Sequence, residues 1–334
     1  MSRYAAAHIE PQGAGDPRPT ALQIVHDEKM KNNLVRKVAI VTGTSSGIGI
    51  EIVRALAATG VTLYLTARDP DKAKAALGDS FNPKQMELIK MDQTSLESVR
   101  NAANTILSKT TSVNILINNA GIMALPDLQF TTDGYEVQFA TNHLSHFLLF
   151  QLLCPALLSA STPDFHSRVV MVSASGHRIH GINSSDNYHF QKGGYDPWNA
   201  YAQSKTANIY MANEIERRYG SQGLHATSSH PGLVATPIGK YLPTQHVEAM
   251  MQNKALLKIL KSPEQGAATI IWAAIGREWE GIGGKYLADC AEAERGPDDG
   301  QRVSPTYVSH TYSPDDEARI WKDSLDMVSL RTDE

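Results

Sequence analysis

The sequence predicts one α/β domain, a doubly wound parallel sheet of about seven strands with helices on both faces. Three observations predict it. Short apolar runs alternate along the chain with amphipathic stretches, a glycine-rich turn joins the first run to the first such stretch, and no shift in composition marks a second domain. Alternation of this kind gives parallel strands joined by right-handed crossovers.

Taken in order, residues 1–20 read as a flexible arm, and 21–334 as the domain. Ala21 to Met30 fits an amphipathic helix packed outside the core. Lys37 to Thr42 is a continuous apolar run, the pattern of a strand covered on both faces. Gly47 to Thr59 has helical periodicity, with Ile48, Ile52, Val53 and Leu56 on one stripe. Thr62 to Ala67, Met86 to Asp92 and Val113 to Asn118 are the next strands, with helices beginning near Asp71 and Ser95 between them. A helix from Tyr135 to Leu158, a strand from Arg168 to Ser173, a helix from Asn199 to Tyr219 and a strand from His225 to Ser229 continue the pattern. Tyr312 to Leu330 is a terminal helix lying on the fold and partly covering the substrate cleft. Two irregular segments, Gly176–Pro197 and Thr236–Lys261, follow the fifth and sixth strands. Both leave the carboxyl ends of strands, where open parallel sheets place ligands.

Composition narrows the function. The 334 residues are 42% apolar and 20% charged, with a net charge of -4, so there is no basic face for nucleic acid. Two cysteines, Cys154 and Cys290, make neither a disulfide framework nor a cysteine-rich metal site, and point to a reducing, cytoplasmic setting. The greasiest stretch, His146 to Leu158, is a dozen or so residues against the ~20 of a membrane span. It reads as a core helix or as a subunit interface in a homodimer or homotetramer, and no membrane association is expected. His143 and His146 lack a third ligand, so packing and capping are expected of them, and no metal. No catalytic role is assigned to His177, His180 or His189. Trp198 is expected to pack, and Asp298 and Asp299 to lie in a solvated loop.

The turn Thr42-Gly43-Thr44-Ser45-Ser46-Gly47-Ile48-Gly49 carries the first chemical signal. Gly43 allows a sharp bend, Gly47 lets backbone approach a pyrophosphate, and Gly49 permits close helix–strand packing. The following helix directs free N–H groups at the anion. Set between a strand and a helix, this is the Rossmann-type signature of a dinucleotide site. At the end of the second strand, Thr66 and Ala67 occupy the place of an acid, and Arg68 follows. A guanidinium suits a 2′-phosphate, so NADP(H) is the expected coenzyme, with Ser45 and Ser46 as added donors.

Tyr201 and Lys205, four apart on a helix, share one face. A neighbouring ammonium and a positively charged nicotinamide favour the phenolate, so the tyrosine is expected to titrate below its usual ~10 and to exchange a proton with a carbonyl or alcohol oxygen. With Asn118-Asn119-Ala120-Gly121, Asn142 and Pro231-Gly232, the chain resembles the short-chain dehydrogenase/reductase family from about residue 21 to 328. Thr141 to Leu144, Ser229 to Gly232, Gly266 to Ala268 and Gly283 to Tyr286 resemble its retinol dehydrogenase and WW-domain oxidoreductase branch, which includes many soluble enzymes of natural-product chemistry. The resemblance implies that Tyr201 is the general acid/base and that Lys205 lowers its pKa and holds the nicotinamide ribose. It implies that Asn142 anchors a relay water and that Asp92 touches the adenine. Asn119, Ala120 and Gly121 would line the adenine ribose, and Val234 and Thr236, after Pro231 and Gly232, would hold the nicotinamide amide.

One position departs from that pattern. Where the family has a serine that hydrogen-bonds the reacting oxygen, this chain has Ala174. Either Ser173 or Ser175 takes over, with Ser175 favoured, or Tyr201 holds the oxyanion alone; losing such a donor costs about 10²–10³ in rate. The expected reaction interconverts a carbonyl and an alcohol on a small, largely apolar molecule. Its pocket would be lined by Ile179, Ile182, Phe190, Tyr195, Ile238, Tyr241, Leu242 and Met250. The alternative is a redox-weak or inactive NADP-binding protein, acting in regulation or in a non-redox step such as cyclisation.

Overall fold

The structure, a computed structural model, describes residues 2–330; Met1 and the last four residues of the expected domain, 331–334, lie outside the described residues. Eight strands form one sheet in the order β3-β2-β1-β4-β5-β6-β7-β8. The first half of the chain runs α1 (Ala21–Asp27), β1 (Val38–Thr42), α2 (Ile48–Ala58), β2 (Thr62–Ala67), α3 (Pro70–Leu77), β3 (Met86–Lys90), α4 (Leu96–Leu107) and β4 (Ile115–Asn118). Next come α5 (Val137–Phe139), a π-turn (Ala140–Leu144), α6 (Ser145–Ala160), β5 (Ser167–Val172), α7 (Pro197–Tyr219) and β6 (Leu224–His230). The chain ends with α8 (Thr244–Gln252), α9 (Lys254–Ile259), α10 (Pro263–Gly266), α11 (Ala268–Ile275), β7 (Lys285–Ala288), β8 (Ala291–Glu292) and α12 (Pro314–Met327).

β1 through β7 are parallel, as expected. The eighth strand is a two-residue antiparallel edge, too short for any sequence pattern. It is reached through Asp289 and Cys290, both at φ 52°, the left-handed pair that a tight hairpin turn demands. Two anchors hold these non-glycine residues there. Thr269 Oγ1 accepts the Cys290 N–H at 3.1 Å, and Lys261 Nζ reaches Asp289 Oδ1 at 2.7 Å.

Two apolar layers sandwich the sheet. α4, α6, α7 and α12 cover one face, with Phe147, Phe150, Tyr210 and Trp321 at its centre. α1, α2 and α11 cover the other, with Ile24, Ile52, Leu56 and Trp272. Strand order reverses between β1 and β4, and the carboxyl ends of these two strands flank the crevice where such sheets bind ligands.

Two expectations need correction. The apolar stretch read as falling short of a span belongs to a continuous 24-residue helix, Val137–Ala160, long and apolar enough to cross a membrane by length and composition. The helix expected from Tyr135 to Leu158 has nearly this extent; only its most apolar part, 146–158, is shorter than a span. Of its most apolar window 72% is buried, and Phe147, Leu148, Leu149 and Leu153 are fully covered, so in this fold it is a core helix. Residues 2–20, read as a flexible arm, pack on the fold. Arg18 is buried, with Nη1 and Nη2 donating to the last carbonyls of α9, Ile259 O at 2.9 Å and Leu260 O at 2.6 Å. Gln265 Nε2 donates to Asp16 O and Arg18 O. The docking partners lie some 240 residues downstream, beyond the reach of local pattern.

Candidate active site

The glycine-rich turn leaves β1 and is closed from two sides. Gly43, at φ 72°, lies so near β4's end that a methyl there would sit 2.7 Å from Ala120 Cα. Asn119 Nδ2 donates to Thr42 O at 2.8 Å and Gly43 O at 3.1 Å, fastening the turn in addition to its expected ribose role. Gly47, at φ 61°, is the N-cap of α2 and gives it no side-chain cap, so the first-turn N–H groups remain directed outward. A methyl on Gly47 would sit 3.3 Å from Thr236, so the turn faces the 231–236 segment. Gly266 extends this packing: a methyl there would strike Val234 at 2.7 Å and Ile48 at 3.0 Å. Ser45 is half-buried and Ser46 exposed beside the turn. Uncapped helix, close-packed glycines and facing segment fit a dinucleotide pyrophosphate.

At the end of β2, Arg68 is exposed and makes no ion pair among the described residues, while the Asp69 carboxylate accepts Lys72 N–H at 3.0 Å and caps α3. Asp92 uses Oδ1 to accept from the Thr94 N–H and hydroxyl, at 2.9 and 2.8 Å. Gly232, at φ 95°, lies against Lys261, whose Nζ pairs with Asp289 while His8 Nδ1 stands 3.4 Å from the same carboxylate.

α7 starts two residues earlier than the pattern predicted, because Asp196 accepts the Trp198 and Asn199 N–H groups and Pro197 fills the first turn. One turn in, Tyr201 is 5% exposed and Lys205 2%. Lys205 Nζ lies 5.8 Å from the Tyr201 ring centroid and donates to Val172 O at 3.0 Å. Gly121 faces both Lys205 and Asn142: a methyl there would sit 3.1 Å from Asn142 Oδ1 and 3.3 Å from Lys205 Nζ. Asn142 is fixed in the π-turn. Its Oδ1 accepts Ile122 N–H at 2.9 Å, and its Nδ2 donates to Ile122 O and Ser204 Oγ, each at 2.9 Å. π-turns within helices are frequent at functional sites. Tyr201, Lys205, Asn142 and Gly121 therefore converge at the carboxyl ends of β4 and β5.

Burial dominates the electrostatics here. It pushes the Tyr201 phenol up from its ordinary value and the Lys205 ammonium down to about 8. The expectation of a lowered phenol included a bound nicotinamide cation; in the protein by itself desolvation sets the tyrosine's direction.

Neither serine beside Ala174 has a free proton. Ser173 Oγ donates to Lys205 O at 2.8 Å, and Ser175 Oγ to Arg302 O at 2.6 Å. Arg302 belongs to a strap, residues 297–306, that pattern reading missed. Its anchor is Arg178, buried, which donates to Gln301 O (3.1 Å), Thr306 O (3.2 Å) and Pro297 O (3.0 Å), and pairs with Asp299 Oδ1 at 2.6 Å. The guanidinium of Arg302 lies 4.3 Å above the Trp198 ring, and Trp198 meets Tyr201 edge-on at 6.3 Å. Asp299, read as part of a solvated loop, is thus half of an anchor, and Trp198 packs as expected while bridging strap and tyrosine. This strap borders the tyrosine, whereas α12 packs through Trp321 against Phe147 and Phe150 in the core. A lone arginine in the histidine-rich loop after β5 was the available signal. His177 is structural, bonded to Ala174 O at 2.8 Å and Thr311 Oγ1 at 3.0 Å.

Sheet order, turn and buried Tyr–Lys helix define a nucleotide-binding oxidoreductase architecture. The sequence profile described as short chain dehydrogenase matches residues 37–246, and the chain belongs to this family. It is similar to a short-chain dehydrogenase/reductase of Penicillium roqueforti, 48% identical over 328 residues covering 98% of this chain and 95% of that one. It is also similar to the polyprenol dehydrogenase of Homo sapiens, 32% identical over 302 residues, 88% and 86% of the two chains. Among solved structures, an uncharacterised protein from Mycobacterium paratuberculosis superposes with a TM-score of 0.66 at 27% identity, covering 98% of each chain. The family uses nicotinamide coenzymes for oxidoreduction at CH–OH and C=O groups.

Proposed function

We propose that this chain is an NADP(H)-dependent oxidoreductase that interconverts a carbonyl and an alcohol on a small, largely apolar molecule, with Tyr201 as the general acid/base. The observation that carries the reading is the convergence of Asn142, Gly121 and Lys205 beside a tyrosine packed on Gly176, whose added methyl would sit 3.0 Å from Tyr201 Cε1. The coenzyme, when bound, supplies or accepts the hydride. Gly43, Ser45, Ser46, Gly47 and Ile48 would hold its pyrophosphate, Arg68 the 2′-phosphate, and Asp92 the adenine. Asn119, Ala120 and Gly121 would line the adenine ribose, and Lys205 would hold the nicotinamide ribose. Pro231 and Gly232 would lead Val234 and Thr236 to the amide.

Tyr201 would give its hydroxyl proton to the carbonyl oxygen during reduction. Lys205, held near neutral pKa by burial, would replenish that proton, and Asn142 would orient the relay behind it. In the oxidation direction the Tyr201 phenol, beside the Lys205 ammonium and an oxidised nicotinamide, would be drawn back toward working pH. Ser175 would donate to the reacting oxygen once the strap carbonyl of Arg302 releases it. Apolar residues of the 176–197 and 236–261 segments support an apolar substrate, as does the name of the human relative, since a polyprenol is an apolar alcohol.

The test is NADPH oxidation against a panel of apolar ketones, aldehydes and quinones, for wild type and Tyr201→Phe. Turnover in the wild type and a loss of at least about 100-fold in the variant, with coenzyme affinity retained, is the expected result. Substrate conversion that survives Tyr201→Phe, or that consumes no NADPH, would point to a non-redox step instead.

A further inference from the structure

A buried chain of hydrogen bonds runs from the main-chain carbonyl of Asn142 to the coenzyme turn. His146 Nδ1 lies 2.9 Å from Asn142 O, and its Nε2 lies 2.8 Å from Thr42 Oγ1. Thr42 Oγ1 in turn accepts the N–H groups of Asn119 at 2.9 Å and Ala120 at 3.0 Å. Both side chains are 0% exposed.

The bonding inventory fixes every proton. A carbonyl only accepts, so Nδ1 carries the hydrogen and Nε2 is the acceptor. The hydroxyl proton of Thr42 then points at Nε2, which leaves both oxygen lone pairs for the two backbone N–H groups. Burial, with the Lys205 charge nearby, holds His146 down at about 4, so the imidazole stays neutral and keeps this tautomer. At the same place the helix ladder is displaced, with Ser145 N–H bonding Ala140 O five residues back. The polar chain therefore joins two elements far apart in sequence: the π-turn carrying Asn142, beside Lys205, and the strand-end backbone that closes on Gly43.

We propose that His146 is a positioning residue that makes the Asn142 carbonyl and the Asn119–Ala120 end of the coenzyme turn one unit, so that the relay is correctly set only when the turn is. The kinetic half rests on the oxidoreductase reading; the structural half does not.

Two variants each cut one link. His146→Gln removes the Nδ1 donor to Asn142, and Thr42→Val removes the hydroxyl that donates to the imidazole and accepts the two N–H groups. Hydrogen–deuterium exchange on each full-length protein, without substrate, reads the coupling. His146→Gln is expected to speed exchange at 117–122, and Thr42→Val at 138–146, the far end in each case. In turnover, each is expected to lower kcat about 10- to 100-fold, with the coenzyme KM moving less than about threefold, and the double variant is no worse than the weaker single one. His146→Asn, which keeps a donor near Nδ1 but does not reach Thr42, is expected to lower kcat as the glutamine variant does, and serves if that variant does not fold. Exchange rising only at the altered end, or kcat losses that multiply in the double variant, overturns the proposal. A wild type inactive on every carbonyl leaves the exchange result standing, and so separates a failure of the function from a failure of the coupling.

Discussion

The exposed Arg68 guanidinium, with no acid partner among the described residues, directly follows Thr66 and Ala67, the place where an acid would otherwise hold a ribose hydroxyl. A charge-assisted hydrogen bond is worth about 1.5–3 kcal/mol, so Arg68→Ala should lower kcat/KM for NADPH about 10- to 100-fold. The same change should leave NADH nearly unaffected, which steady-state kinetics with both coenzymes will check. The placement of Arg68 at the end of β2, of the turn glycines between β1 and α2, and of Tyr201 and Lys205 on one helix was legible in the sequence, because it depends on near neighbours and fixed spacing. Ser175 was not. Its hydroxyl partner, Arg302, lies 127 residues away, and no local pattern reveals where a single proton is spent. His146 was set aside as core, and it is core; its value lies in which two polar atoms it touches there.

Strands and long helices were readable because both faces of the sheet are covered, so that their apolar residues recur in runs or stripes that local pattern reveals. Irregular elements hid. The π-turn keeps no 3.6-residue period, and the small helices α8 and α9 lie in a segment read as loop because they bury no residue. The 297–306 strap has almost no apolar signal, since hydrogen bonds from one arginine hold it. Arg178→Ala removes that anchor and leaves the Gln301, Thr306 and Pro297 carbonyls without it. The strap should then take up deuterium and be nicked by protease far faster than in wild type, with global stability lower by at least about 2 kcal/mol. If Ser175 works only when unlatched, the same variant should raise its share in catalysis, so that Ser175→Ala costs more in that background than alone. Equal costs in the two backgrounds would show that the latch does not gate the serine.

At the scale of the whole molecule, acid should unfold this protein early. Burial holds His143 and His177 down at about 3, and His146, His189 and His230 at about 4, all well below the ordinary 6.5. Between roughly pH 4 and 6.5 the unfolded chain binds protons at these sites that the native one refuses, so stability falls as pH drops through that window. Glu136 opposes the trend. Buried as a helix cap, it is raised to about 7, so the native state holds its proton first and gains stability as pH falls from 7 toward its ordinary 4.5. The histidines outnumber it, and unfolding near pH 5 should take up about four protons, measurable from the slope of unfolding free energy against pH. At the opposite end of the chain, one contact of the amino-terminal segment sets where the 236–261 stretch is held. Arg18 grips the end of α9, whereas residues 236–252 contain no buried side chain. Bare along its length and fastened at the end of α9, the 236–252 stretch should exchange its amides well before residues 259–260 do, which deuterium uptake will check.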